Sequence, residues 1–159
     1  KAACVNSHSE KEKYLCWKVV LEIERFIECY GGEYFSTRKS DYANYYHQLL
    51  TLLGHNQIII ERDSHEHIMA VCGWACISKD GEWDVNKIRW TLPEKVCGGN
   101  VLYVSFCVSN ADHIHHIRQK LIRRYRNEVD EVYWFSTSKH KFIRHKNILK
   151  EIALCKTAV

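Results

Sequence analysis

The sequence predicts an α/β (α+β) fold, a mixed central sheet flanked by helices. Three observations carry that prediction. Two helical patterns open the chain, two short β-rich runs joined by a polar turn follow, and Val101–Lys150 reads as strand–helix–strand–helix. A helix between two strands makes them a parallel pair, because only a crossover returns the chain to the same end of the sheet. A length of 159 residues suits one domain with a proper core, so 1–159 is read as a single domain.

Each element has its own signal. In Glu10–Tyr30, Trp17, Val20, Leu21, Ile27 and Tyr30 form an apolar helical stripe, and Gly31-Gly32 ends it. Ser40-Asp41 caps a second helix, whose face is Tyr42, Tyr45, Tyr46, Leu49, Leu50 and Leu53, with Gly54 as its stop. Gln57–Glu61 is the first strand, Arg62–Glu66 a polar turn and His67–Ser78 the second strand, antiparallel to the first. Alternation puts Cys72, Trp74 and Cys76 on one face, and the small Gly73 and Ala75 admit close approach on the other. Lys79-Asp80-Gly81 is a turn, Glu82–Trp90 a further strand or an irregular crossing, and Thr91–Asn100 a loop with the only proline. Val101–Val108 is apolar almost throughout and forms the central strand. Ser109-Asn110 breaks it and leads to a helix that buries Ile114, Ile117, Leu121, Ile122 and Tyr125. Val132–Phe135 is the parallel partner strand, and Lys139–Lys146 is read as a closing basic helix anchored by Phe142 and Ile143.

Composition narrows the classes. Eight cysteines form no C-x-x-C pair, and Cys16, Cys72, Cys76 and Cys107 lie in apolar segments. They read as reduced thiols in a cytoplasmic, reducing compartment, with no disulfide scaffold and no metal site. No secretory pattern opens the chain and no apolar run approaches the ~20 residues needed to span a bilayer, so no membrane role is expected. The net charge of +4 is uneven. Asn110–Lys150 holds ten Lys/Arg against four Asp/Glu, whereas residues 1–109 hold twelve against fourteen. That asymmetry points to an acidic protein or nucleic acid as partner, through Arg118, Lys120, Arg123, Arg124 and Arg126 on one helix and Lys139, Lys141, Arg144 and Lys146 beyond it. A solvated helix face explains the same charges without a partner. Tyr133, Trp134 and Phe135 offer stacking to a base or, in a central strand, fill the core.

Ligands in α/β units sit beyond the carboxyl ends of the strands. Here those ends are Val108–Asp112 and Ser136–His140. Cys107 lies at one of them as a candidate nucleophile, with the following helix start to favour its thiolate. Ser105 shares its face by alternation, so one of the two faces the cleft. His113 and His116 share a helix face at i, i+3 and read as a solvated helix start, because zinc needs more ligands and no H-E-x-x-H pattern occurs. His65 and His67 flank the hairpin turn and read the same way.

The element order, with two leading helices, an antiparallel meander, a central strand and a helix after it, resembles the GNAT-like N-acyltransferase fold. Locally the chain is similar to the RTX toxin-activating lysine acyltransferases. The similarity runs from Glu61-Arg-Asp63 through Cys72-Gly-Trp-Ala-Cys-Ile-Ser78 and Trp90 to Val101–Val108, about 60 residues dominated by apolar strand pattern. The chain is also similar to small phage acyltransferase-like proteins. The resemblance implies a single GNAT-like domain that transfers an acyl group from an acyl-CoA or acyl carrier protein thioester to an amine. It places the donor against Val108, Ser109, Asn110 and Asp112. The family's glycine-rich pyrophosphate loop is replaced here by Val108-Ser-Asn-Ala-Asp-His113, which has no glycine and carries Asp112 in the first helical turn. The family's catalytic aspartate falls at Ser105, and its histidine near Tyr34–Arg38, where His47 is the nearest substitute. These departures leave a second expectation standing: a non-enzymatic GNAT-like domain, without a cofactor, that binds an acidic partner or nucleic acid or joins a larger assembly.

Overall fold

A computed structural model describes residues 10–31, 42–78, 95–109, 113–136, 139 and 141–146. The chain runs α1 (Glu10–Tyr30), α2 (Tyr42–Gly54), β1 (Ile58–Arg62), β2 (Ile68–Ile77), β3 (Val101–Ser109), α3 (His113–Tyr125), β4 (Glu131–Ser136) and β5 (Lys141–Lys146). The strands form one sheet in the order β1-β2-β3-β4-β5. Among the described strands only β3–β4 is parallel, and the other neighbours are antiparallel. The fold is α+β with a mixed sheet, and α3 is the crossover between its parallel strands, as the helix between two apolar runs requires.

Both faces of the sheet are covered. On one, Val20, Ile23, Phe26 and Ile27 of α1 and Leu49 and Leu52 of α2 pack on Val71, Phe106 and Val108. On the other, Ile117, Leu121, Ile122 and Tyr125 of α3 pack on Cys72, Trp74, Cys76, Leu102 and Val132. A third cluster at the far end joins Ala75, Ile77, Val101 and Tyr103 to Val96. A buried side chain of this size contributes roughly 1.5–3 kcal/mol, so these layers, not helix propensity, hold α1 and α2 in place.

Several expected details change. The buried stripe of α1 is Val20, Ile23, Phe26 and Ile27, while Trp17 and Leu21 stay 47% exposed and Tyr30 is exposed too. Trp17 and Leu21 are four residues apart and lie to one side of that stripe, where the Tyr46 ring stands 5.8 Å from Trp17. Gly54 does not stop α2. Asn56 does, in a left-handed conformation with φ 53°. Asn56 N–H donates to Leu53 O and Gln57 N–H to Leu52 O, the paired bonds of a Schellman cap. Gly31 N–H still donates to Ile27 O, so the α1 ladder continues onto it. Ile114 of α3 is exposed rather than buried.

The largest correction is the closing segment. Lys141–Lys146 is a strand, not a helix, antiparallel to β4 from Glu131↔Lys146 to Ser136↔Lys141. An edge strand on β4 supplies backbone partners along its whole length, whereas a helix there would leave β4 paired on one side only. The cap expected at Ser40-Asp41, the turn at Lys79–Gly81 and the crossing Glu82–Trp90 lie outside the described residues. The described part of the expected loop, 95–100, runs beside the end of β2. There Val96 O accepts from Cys76 N–H and Gln57 Nε2, and Gly99 N–H donates to Cys76 O.

The β1–β2 turn is held by Asp63. Its Oδ1 accepts the His65 and His67 amides at 2.8 and 3.0 Å. Those amides, His67 first, hold the Asp63 carboxyl below its ordinary value. Glu66 takes the left-handed corner at φ 64°.

Candidate functional site

The candidate site lies where β3 outruns β4. On one side β3 pairs with β2 along its length, from Val101↔Ile77 to Ser109↔Ala70. On the other it pairs with β4 only from Val101↔Glu131 to Val104↔Trp134. The carboxyl-terminal half of β3 thus has no β4 partner among the described residues.

The change falls at Ser105. Gly73 pairs with Phe106 and the next residue, Trp74, with Val104, so Ser105 is the extra residue of a β-bulge. A bulge leaves one residue outside the ladder, bends its strand and increases the local twist. It also resets alternation. Leu102 and Val104 pack on the α3 face, and so does Cys107. Phe106 and Val108 pack on the α1/α2 face. Strict alternation would have placed them the other way round. The expected shared face of Ser105 and Cys107 therefore does not carry across the bulge, and Cys107 is the one that joins the α3 side. Ser105 is 8% exposed.

Close packing beside the bulge depends on Gly73. A Cβ there would stand 2.4 Å from the Phe106 ring. The sequence anticipated close approach at Gly73, and its partner is the residue that follows the bulge.

Cys107 is half-buried and directly opposes Cys72 in the β2–β3 register. The two side chains lie on the same face of the sheet. The Cys72 thiol lowers the Cys107 pKa against the opposing effect of burial. Cys107 in turn, with burial, raises the Cys72 pKa well above its ordinary value. The sequence could show that Cys72 alternates with Gly73, but only the register identifies Cys107 as its partner.

The remaining predicted residues scatter. His47 is exposed on α2, and its carbonyl accepts the Thr51 hydroxyl at 2.8 Å. Because α2 packs on the sheet face opposite α3, the sheet separates His47 from Cys107. Val108 turns its side chain into the core, so it has only its backbone to offer a donor. Ser109 is half-buried and ends the β2 ladder. Asn110 and Asp112 lie outside the described residues. Tyr133 and Trp134 pack on opposite sides of the sheet, so they do not make one stacking platform.

The basic residues of α3 divide in two. Lys120 Nζ sits 2.7 Å from Glu61 Oε1. Arg124 donates to Asn56 O at 2.7 Å and lies over the rings of Trp74 and Tyr125, 5.6 and 5.1 Å from their centroids. These two tie α3 to β1, to β2 and to the α2 cap. Arg118, Arg123 and Arg126 are exposed. Lys139 is exposed as well, and Lys141, Arg144 and Lys146 lie on the β5 edge strand instead of a helix.

Among the described residues no group of three His, Cys, Asp or Glu could hold a metal ion. The His113 and His116 rings stand 6.1 Å apart, and His115 Nε2 is hydrogen-bonded to Gln119 at 2.9 Å. His65 and His67 lie 6.2 Å apart on the exposed hairpin turn. No described helix is long and apolar enough to cross a membrane. No protein-family model matches this chain, and no curated protein sequence matches it.

Proposed function

We propose that this chain is a GNAT-like acyltransferase domain that moves an acyl group from a thioester to an amine. The observation that supports this reading is the divergence of β3 from β4 after Val104↔Trp134, at the Ser105 bulge. An opening between parallel strands, at their carboxyl ends, is where an α/β sheet accepts a ligand. Cys107 stands at that opening with a thiol biased toward its reactive form. The usual pyrophosphate cradle does not fit. Val108–His113 contains no glycine, and the Val108 side chain occupies the core. A carrier-protein thioester suits the chain better than coenzyme A, since Arg118, Arg123 and Arg126 offer exposed cations to an acidic carrier.

In this mechanism the Cys107 thiolate attacks the thioester carbonyl. A new carbon–sulfur bond forms, the donor's carbon–sulfur bond breaks, and the donor thiolate leaves and takes up a proton. An amine then attacks the acyl-cysteine, loses a proton and releases the Cys107 thiol. With His47 across the sheet, neither step uses it. Incubation with acyl thioesters of graded chain length should release free thiol and add one acyl mass to the protein, and Cys107→Ala should abolish the adduct. Unchanged thioester and unmodified protein across the series would end the acyltransferase reading.

The second reading is a non-enzymatic domain that binds an acidic protein or nucleic acid. The exposure of Arg118 and Arg123 on α3, and of Arg126 just beyond its end, favours it. Charge reversal at Arg118 and Arg123 should weaken association with an acidic carrier protein or an oligonucleotide, and raised salt should do the same. Reversal at Arg124 would confound that measurement, because Arg124 also holds the α2 cap.

A further inference from the structure

Apart from the acyl-transfer reading, β2 and β3 bring two thiols face to face. Cys72 and Cys107 are opposed residues of an antiparallel ladder. Opposed residues in such a ladder have Cα atoms ~4.5 or ~5.5 Å apart. Both separations lie within the ~4.4–6.8 Å that a disulfide spans. The side chains point to the same sheet face, since Cys72 belongs to the α3-side core and Cys107 packs against it. Access is unequal: Cys72 is 1% exposed, and Cys107 is half-buried. The other described cysteines are not placed this way. Cys76 opposes Leu102, and Cys29 and Cys97 are exposed.

We infer that Cys72 and Cys107 form a reversible dithiol–disulfide pair, with Cys107 as the attacking thiol and a small-molecule disulfide as the oxidant. The Cys107 thiolate attacks one sulfur of R–S–S–R. A mixed disulfide forms as the oxidant's S–S bond breaks, and the departing R–S⁻ takes up a proton. Cys72 gives up its proton and attacks the Cys107 sulfur, which expels the second thiol as R–SH. Two protein thiols are oxidised, and one small disulfide is reduced to two thiols. The bond fastens β2 to β3 two residues from the Ser105 bulge. If Cys107 carries acyl groups, the bond also withdraws its nucleophile, and only that consequence rests on the acyl-transfer reading.

The test uses the whole chain equilibrated without oxygen in glutathione buffers of graded oxidised-to-reduced ratio. Acid and N-ethylmaleimide trap the free thiols, and tryptic peptides are mapped. The peptides 63–79 and 96–118 each hold two cysteines, so fragmentation must assign the linkage. The expected product is a Cys72–Cys107 cross-link that appears as two alkylations vanish and reverses with dithiothreitol. Cys72→Ala should stop the reaction at a glutathione adduct on Cys107. Linkage through Cys76 or Cys97 overturns the pair. So does a wild-type adduct on Cys107 that never resolves, or full alkylation of both residues at every ratio. The wild-type map decides even if the Cys72 variant does not fold. It reads no acyl transfer, so a failed acylation assay and a failed cross-link remain separate results.

Discussion

Tyr125 shows how a single side chain can join separate parts of this chain. Its hydroxyl accepts from Trp74 Nε1 at 2.8 Å, and the two rings meet edge-on at 5.9 Å. Cys76 packs in the same core cluster. Burial pushes the Cys76 thiol up to about 11, and it raises Tyr125 as well. For Cys76 the sign is definite. Its folded-state pKa is above the unfolded value of about 8.5, so its stabilising contribution is complete below that pH. It is lost as pH rises through about 11. The urea midpoint should therefore fall between pH 8 and pH 10.5, and Cys76→Ala should fall less over the same interval. Equal falls in both proteins would show that Cys76 carries none of the dependence. Trp74, Cys72 and Cys76 were legible as one face from their alternation. Their shared partner Tyr125, 51 residues from Trp74, was not, because a hydrogen bond at that separation depends on where α3 lands.

At the scale of elements, three glycines separate local propensity from packing. A Cβ at Gly99 would stand 2.0 Å from the Ile77 backbone, one at Gly73 would meet the Phe106 ring at 2.4 Å, and one at Gly54 meets nothing within 4 Å. Gly54→Ala should stabilise the chain by up to about 1 kcal/mol, as expected for alanine in a helix. Gly73→Ala should cost about 1–3 kcal/mol as Phe106 is forced aside. Gly99→Ala should cost more than Gly73→Ala, because backbone cannot rotate away. Chemical denaturation of the three variants gives the order directly, and a neutral Gly99→Ala would contradict the packing beside β2. The helices α1, α2 and α3 and strands β1, β2 and β3 were all legible from periodicity and turn residues. β5 was not. Lys141–Lys146 has no clear period of its own, and its state is decided by the open edge of β4.

For the whole molecule, the Ser105 bulge sets which residues face which layer. Without the extra residue, Val104 and Phe106 would become neighbours in a regular ladder and would still face opposite sides. Deletion of Ser105 should therefore keep the cooperative fold. Insertion of one alanine after Ser105 also leaves Phe106 and Val108 facing α1/α2, but in a regular ladder it slides them two residues along β2, so that Phe106 opposes Val71 instead of Gly73. The Phe106 ring then loses the space that Gly73 leaves for it and meets the Val71 side chain, so the insertion should cost about 1–3 kcal/mol more than the deletion. Urea unfolding of both variants tests the contrast. If the insertion proved as stable as the deletion, the register on either side of Ser105 would be wrong. Under the acyl-transfer reading, the deletion should also remove the opening between β3 and β4, so thioester cleavage should fall while stability holds.

The sequence by itself determined the α+β class, the crossover helix between two parallel strands and the apolar layers, because each of these follows from local periodicity. It also located the carboxyl end of β3 as the place to look, and it placed Cys107 there. Tertiary structure alone decided the bulge at Ser105, the opposition of Cys72 and Cys107, the separation of His47 from that end and the strand state of Lys141–Lys146. The physical reason is register. Hydrophobic pattern assigns a residue to a face, but pairing between strands assigns its neighbour, and one extra residue in a ladder changes every assignment beyond it.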